Sequence, residues 1–279
     1  MGSMPRASTN GIELEYETFG APANPRLLLI AGLGSQMISW NDDFCELLAG
    51  RGFHVIRFDN RDAGLSTWMD ATYTLDDMAA DAAGLLAGLR IPAAHVVGVS
   101  MGGFIAQLLA LNHPELILTL TSIMSGPNGE DEIPPTPEAQ EVLLVKAPKT
   151  REERIELGLW VRRRLIGSAD PFDEEFERAR STAAVDRAYH PAGFMRQLGA
   201  IVAAPSRIER LRSLRVPALV IHGKDDTLVP IDNGRIVAAA IPGARLIEIE
   251  GMGHDLPRRV WGQVADAIAE LARENSPAL

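Results

Sequence analysis

Cysteine is nearly absent, Cys45 being the only one in 279 residues. A single thiol excludes any intrachain disulfide and any four-cysteine zinc site, and it fits a reducing cytoplasm. An excess of positive charge is missing too. There are 37 acidic residues against 27 Lys and Arg, a formal charge of −10, whereas a phosphate-backbone partner calls for a basic surface, so nucleic acid is not expected. No apolar run approaches the roughly 18 residues that span a bilayer. The N-terminus has no charged segment leading into an apolar core, so neither a membrane partner nor export is expected. Met1, Gly2 and Ser3, ahead of a second methionine at Met4, read as a cloning remnant and carry no functional argument. What remains is ordinary globular material, 46% hydrophobic and 23% charged, long enough for one α/β domain with an insertion.

Residues 12–18 alternate, with Ile12, Leu14, Tyr16 and Thr18 on one side and Glu13, Glu15 and Glu17 on the other. That is the pattern of a half-buried antiparallel strand. Short continuous apolar runs follow at 27–31, 55–58, 96–99, 117–124 and 218–221, and 246–249 alternates around Glu248. Such runs suit strands covered on both faces. Helical patterns at 41–50, 74–89, 101–112, 231–240 and 258–273 lie between them. The expected fold class is therefore α/β, a mostly parallel central sheet flanked by helices. Residues 127–206 interrupt the alternation. A loop holding Pro134, Pro135 and Pro137 leads into four charged helical stretches without a convincing strand. The division expected is a core of residues 4–126 and 207–275 with an inserted helical lid, 127–206. Asp173 stands ahead of a helix from Glu174, with acidic residues in its first turn. The alternating Arg and Glu there read as a solvated helix face.

Gly98-Val99-Ser100-Met101-Gly102 joins the run 96–99 to the helix at 101–112. A sharp strand-to-helix turn crowds the backbone around its central serine, and glycines two positions to either side relieve the clashes. Ser100 is then presented above the sheet as a nucleophile; a plain helix N-cap is the alternative. A serine hydroxyl needs a base, and histidine is suited to neutral pH. Of six histidines, His254 sits in a glycine-rich turn after the last strand, at the end of the sheet where catalytic groups of open α/β folds collect. His54, His95 and His222 lie at strand ends and read as structural. His113 sits at a helix end, and His190 in the insertion reads as a surface residue. His222 to Pro230 supplies two carboxylates after the preceding strand. Asp226, ahead of Asp225, is the expected acceptor for the base's second nitrogen. The oxyanion of acyl transfer needs preorganised backbone donors. The amides of Met101 and of Leu33, in Ala31-Gly32-Leu33-Gly34, are expected to supply them.

With these motifs in place the sequence resembles the α/β-hydrolase superfamily over essentially its whole length, including the order Ser, Asp, His along the chain. Phe58-Asp59-Asn60-Arg61-Asp62-Ala63-Gly64-Leu65-Ser66 is similar to the turn after the oxyanion loop in many lidded members. The segments 95–102, 55–66 and 251–257 look most like aclacinomycin methylesterase-type bacterial esterases. The resemblance implies Ser100, Asp226 and His254 as a triad and Leu33 and Met101 as oxyanion donors. Ala31 departs from the histidine that commonly precedes the oxyanion glycine, a position that does no chemistry.

The expected activity is hydrolysis of a small to medium apolar ester through an acyl-enzyme, without metal or organic cofactor. Lactonase, amidase, carbon–carbon hydrolase and perhydrolase chemistry use the same triad. A small-molecule receptor with little turnover is the alternative of another class. Serine at position 100 argues against the dehalogenases and most epoxide hydrolases of this fold, which resemble it but carry aspartate there. Leu157, Trp160, Val161, Phe194, Met195 and Leu198 are candidates to line an apolar pocket.

Overall fold

A computed structural model describes residues 5–275, so the cloning-remnant reading at Met1, Gly2 and Ser3 lies outside the described residues. The elements run β1 (Arg6–Thr9), β2 (Ile12–Phe19), β3 (Arg26–Ile30), α1 (Asp42–Gly50), β4 (His54–Phe58), α2 (Leu75–Gly88), β5 (Ala94–Val99), α3 (Met101–Asn112) and β6 (Ile117–Ile123). There follow α4 (Pro137–Gln140), α5 (Arg151–Leu165), α6 (Glu174–Arg187), α7 (Pro191–Ala203), α8 (Ile208–Leu211), β7 (Ala218–Gly223), α9 (Ile231–Ala240), β8 (Arg245–Ile249) and α10 (Arg258–Asn275). The strands form one eight-stranded sheet in the order β1-β2-β4-β3-β5-β6-β7-β8. β2 pairs antiparallel with β1 and β4, and the pairs from β4 to β8 are parallel.

The continuous apolar runs are explained by the two cores. Along β3, Leu28 and Ile30 pack on the side of Met78, Leu86, Phe104 and Val237. Leu27 and Leu29 pack on the other side with Phe44, Leu48, Val264 and Ile268. Alternate residues of one strand thus serve opposite layers, α2, α3 and α9 on one face and α1 and α10 on the other. Local signals set the helix starts. Thr74 and Asp77 form a reciprocal capping box at α2, Thr150 and Glu153 do the same at α5, and the Asp173 carboxylate accepts from the Phe176 amide at 3.0 Å to open α6.

Two expectations at the sheet edge need correction. The edge strand β1 was not anticipated: four residues carry too short a pattern to read. Glu15, expected on the solvent side of β2, is 3% exposed, while Thr18 is exposed. Glu15 is covered because Arg6 and Arg187 reach it from two sides, at 3.3 and 3.5 Å. A paired carboxylate can be buried where a lone one cannot.

Residues 127–206, between β6 and α8, carry α4 to α7 and no strand. Both ends of this segment meet at one point. The Arg207 amide donates to the Pro127 carbonyl at 3.1 Å. The Arg207 guanidinium, wholly enclosed, donates to Gln107 Oε1, Asn128 Oδ1 and the Gly126 carbonyl, and stacks on Phe104. Among the described residues no helix is long and apolar enough to cross a membrane.

Candidate active site

β5 lies inside the sheet, flanked by β3 and β6, and its chain turns at Ser100 directly into α3. Ser100 has φ +55° and ψ −123°, a conformation that costs a non-glycine residue on the order of 1–3 kcal/mol. The surroundings impose it. The Ser100 amide donates to Ile123 O at 2.9 Å, and Ser100 O accepts from Gly103 N at 2.8 Å and from Ser125 Oγ at 2.9 Å. A Cβ at Gly98 would strike the Gly102 carbonyl, and one at Gly102 would strike Ile30 O. The N-cap alternative does not hold, because the Ser100 side chain makes no capping hydrogen bond. Its hydroxyl instead lies 3.0 Å from His254 Nε2.

His254 leaves the turn after β8, and Asp226 the turn after β7. His254 Nδ1 is 2.7 Å from Asp226 Oδ2, and Asp226 Oδ1 accepts from the Leu228 and Val229 amides at 3.0 and 2.8 Å. Burial pushes the Asp226 carboxyl up, but the charge of His254 and hydrogen bonds from His222 and His254 outweigh it and hold it down at about 2. It remains an acceptor, which keeps a proton on Nδ1 and leaves Nε2 free toward Ser100. Asp225 does something else: its Oδ2 takes the Ser168 amide at 2.9 Å and the Ser168 hydroxyl, anchoring the α5–α6 connection. His222 is structural as expected, Nε2 donating to Val229 O at 2.7 Å, and it also stands 3.5 Å from Asp226 Oδ2. His95 is buried against Thr119 Oγ1, and desolvation drives its pKa down to about 4.

The loop after β3 brings Gly32 against Ser100, where an added Cβ would sit 3.3 Å from Ser100 Cβ. The Leu33 and Met101 amides have no acceptor among the described residues. The turn after β4 braces this loop: Asp59 Oδ1 accepts from the Met37 amide at 2.6 Å and Asn60 Nδ2 donates to Ala31 O at 3.1 Å. From the insertion, Gln197 Oε1 accepts from the Gly34 amide at 2.7 Å while its Nε2 donates to Arg61 O at 2.8 Å.

Ser100 and His254 open into a cavity of about 680 Å³ between the sheet's carboxyl end and the insertion. Leu157, Val161, Phe194 and Met195 line it as expected. Trp160 and Leu198 do not. Trp160 packs instead against Ala139, Val142 and Leu165, its ring covered by Arg164; Leu198 lies on α7 beyond the segment that meets the cavity. His190 is another correction. It lines the cavity with its side chain 16% exposed, stacked flat on Trp68 at 4.0 Å, beside an Asp62 carboxylate that takes both Nε and Nη2 of Arg196. Sequence reasoning also missed Trp40, Trp261, Arg162 and Arg180 in the wall. The solvated-face reading holds for Arg178, which pairs with exposed Glu156 and Glu174. It fails for Glu177, 9% exposed and bonded to Arg180. Among the described residues no cluster of three or more His, Cys, Asp or Glu could hold a metal ion.

The chain is similar to known proteins over most of its length. Rhodomycin D methylesterase DnrP of Streptomyces peucetius is 37% identical over 94% of this chain and 95% of its own. A 2-hydroxy-6-oxononadienedioate/2-hydroxy-6-oxononatrienedioate hydrolase of Burkholderia vietnamiensis is 30% identical over 87% and 85%. Among solved structures, the enol-lactonase of Burkholderia xenovorans superposes with a TM-score of 0.76 at 26% identity, covering 97% of this chain and 98% of that one. The family model for the alpha/beta hydrolase fold matches residues 25–257, and with that match the chain belongs to the α/β-hydrolase family.

Proposed function

We propose that the protein is a carboxylic-ester hydrolase that works through a serine acyl-enzyme. Ser100 Oγ attacks the ester carbonyl as His254 Nε2 takes its proton, and the carbonyl oxygen becomes an oxyanion between the Leu33 and Met101 amides. The C–O bond to the alcohol breaks as His254 returns that proton to the leaving oxygen. Water, deprotonated by His254, then attacks the acyl carbon, and Ser100 regains its proton as the acid leaves. Asp226 holds His254 in one tautomer and balances the charge it gains. The observation that carries this reading is the continuous hydrogen-bonded line from Ser100 Oγ through His254 to Asp226 at the floor of the cavity. The methylesterase relative supports an ester as the bond cleaved.

In this reading residues 127–206 are a lid on a core of 4–126 and 207–275. Trp160 and Leu198 drop out of the substrate pocket, and Val161 and Phe194 stay in it. The chemistry needs no cofactor, the partner is a small-molecule ester and neither nucleic acid nor membrane, and the compartment is the cytoplasm. The test is a burst assay with p-nitrophenyl acetate, butyrate and octanoate, with a fluorophosphonate label located by mass spectrometry. A label on Ser100 and loss of both burst and turnover in Ser100→Ala are expected. Folded protein that shows neither label nor burst would move the small-molecule receptor ahead.

A further inference from the structure

Of the three arginines of α6, two have opposite fates. Arg178 faces solvent among exposed carboxylates. Arg180 turns inward, its side chain 22% exposed, and lines the cavity. Its Nη1 donates to both Glu177 oxygens, at 3.0 and 3.2 Å, while Nε and Nη2 donate to no acceptor among the described residues. Glu177 is recessed behind it and is also 3.8 Å from Arg162 Nε. The other nearby carboxylate, Asp255, is engaged by Arg162 Nη1 at 2.6 Å. Asp62, also in the wall, is taken by Arg196. Arg180 therefore faces the cavity with half its fork unused, beside an Arg162 that spends Nη1 on Asp255.

From this geometry we propose that Arg180 is a specificity residue, taking the carboxylate of a substrate that carries a free acid group in addition to the bond Ser100 attacks. Desolvation and the charge of Arg162 together depress the Arg180 pKa, the signature of a cation whose surroundings return less than burial removes. A planar guanidinium with Nε and Nη2 free matches a carboxylate edge on, two parallel hydrogen bonds in a water-poor wall. Asp255 follows His254 directly in the chain, so this charged wall begins one residue from the base. The apolar lining from Leu157, Val161 and Phe194 then covers the body of the substrate, and an ester with one acid terminus fits better than a wholly neutral one.

The inference rests on the ester-hydrolase reading, and its test separates the two. The monomethyl esters of adipic, suberic and sebacic acids are each compared with the dimethyl ester of the same diacid, on wild type and on Arg180→Gln. The wild type is expected to favour the half-ester by about tenfold or more in kcat/KM for at least one chain length, through KM, and the ratio falls close to one in the variant. Equal rates on the wild type, or a preference that survives in Arg180→Gln, overturns the proposal. If the variant does not fold, the wild type decides alone: suberate must inhibit p-nitrophenyl acetate hydrolysis competitively and far better than octanediol, losing that advantage in high salt. Suberate no better than octanediol overturns it. Wild type inert toward p-nitrophenyl acetate and toward every methyl ester sinks the ester reading only; suberate binding by calorimetry then tests the carboxylate site, and absence of binding removes it.

Discussion

At the scale of single residues, Asp226 joins function to stability. Its carboxyl is held at about 2 in the folded protein against an ordinary 3.8. A depressed carboxyl stabilises the fold above its unfolded pKa, and that contribution drains away as pH falls through the folded value. Acid titration of stability should therefore show a loss between 3.8 and about 2 that is reduced in Asp226→Asn. The same variant should keep its fold at neutral pH while kcat falls by about ten-thousand-fold, since the amide favours the wrong tautomer of the base. Urea melts across pH and steady-state kinetics check the two halves separately. Ser100, His254 and Asp226 were legible because each sits in a turn whose composition is unusual and whose neighbours are strands. Arg180 was not legible, because Glu177 three residues earlier makes a pair that looks the same on a solvated helix. Only the fold decides which arginines of α6 turn inward.

Elements were legible where one pattern fills one element. α3 and α9 begin and end where the periodicity does, and α10 buries Val260, Val264, Ile268 and Leu271 at helical spacing. The burial of Glu15 escaped because its cause is remote: Arg187 comes from the far end of α6 to cover β2. The insertion's helices were anticipated, but their facing was not, as Trp160 shows. What fixes the insertion to the core is also an element-scale matter. Arg207 gathers Gln107 from α3 and Asn128 and Gly126 from the segment after β6, with Glu132 as its nearest acidic neighbour and burial drawing its pKa down to about 10. Removing it strands those acceptors and the buried Glu132 charge. Arg207→Ala should lose about 3–5 kcal/mol of stability in urea unfolding. A loss below about 1 kcal/mol would mean that solvent replaces the guanidinium freely, as at an exposed pair.

For the molecule as a whole, the sheet and the layer of α1 and α10 enclose Cys45 completely. Burial drives its pKa up to about 12, against the opposing pull of Arg57, so little thiolate forms and no path leads to it. A disulfide exchange reagent should find no reactive thiol in the native protein and one on unfolding. The rate of labelling in mild denaturant then reports opening of the layer formed by α1 and α10. Rapid labelling of native protein would mean that this layer parts from the sheet on its own.

The junction at Pro127 and Arg207 has a further consequence. The chain departs at Pro127 and comes back at Arg207 across a backbone hydrogen bond of 3.1 Å, so whatever lies between adds little loop-closure entropy to the rest. Evolution can exchange that segment as a cassette, and so can an engineer. A chimera that keeps residues 1–127 and 207–279 and receives another family member's helices should keep the Ser100–His254–Asp226 line while its choice of substrate changes.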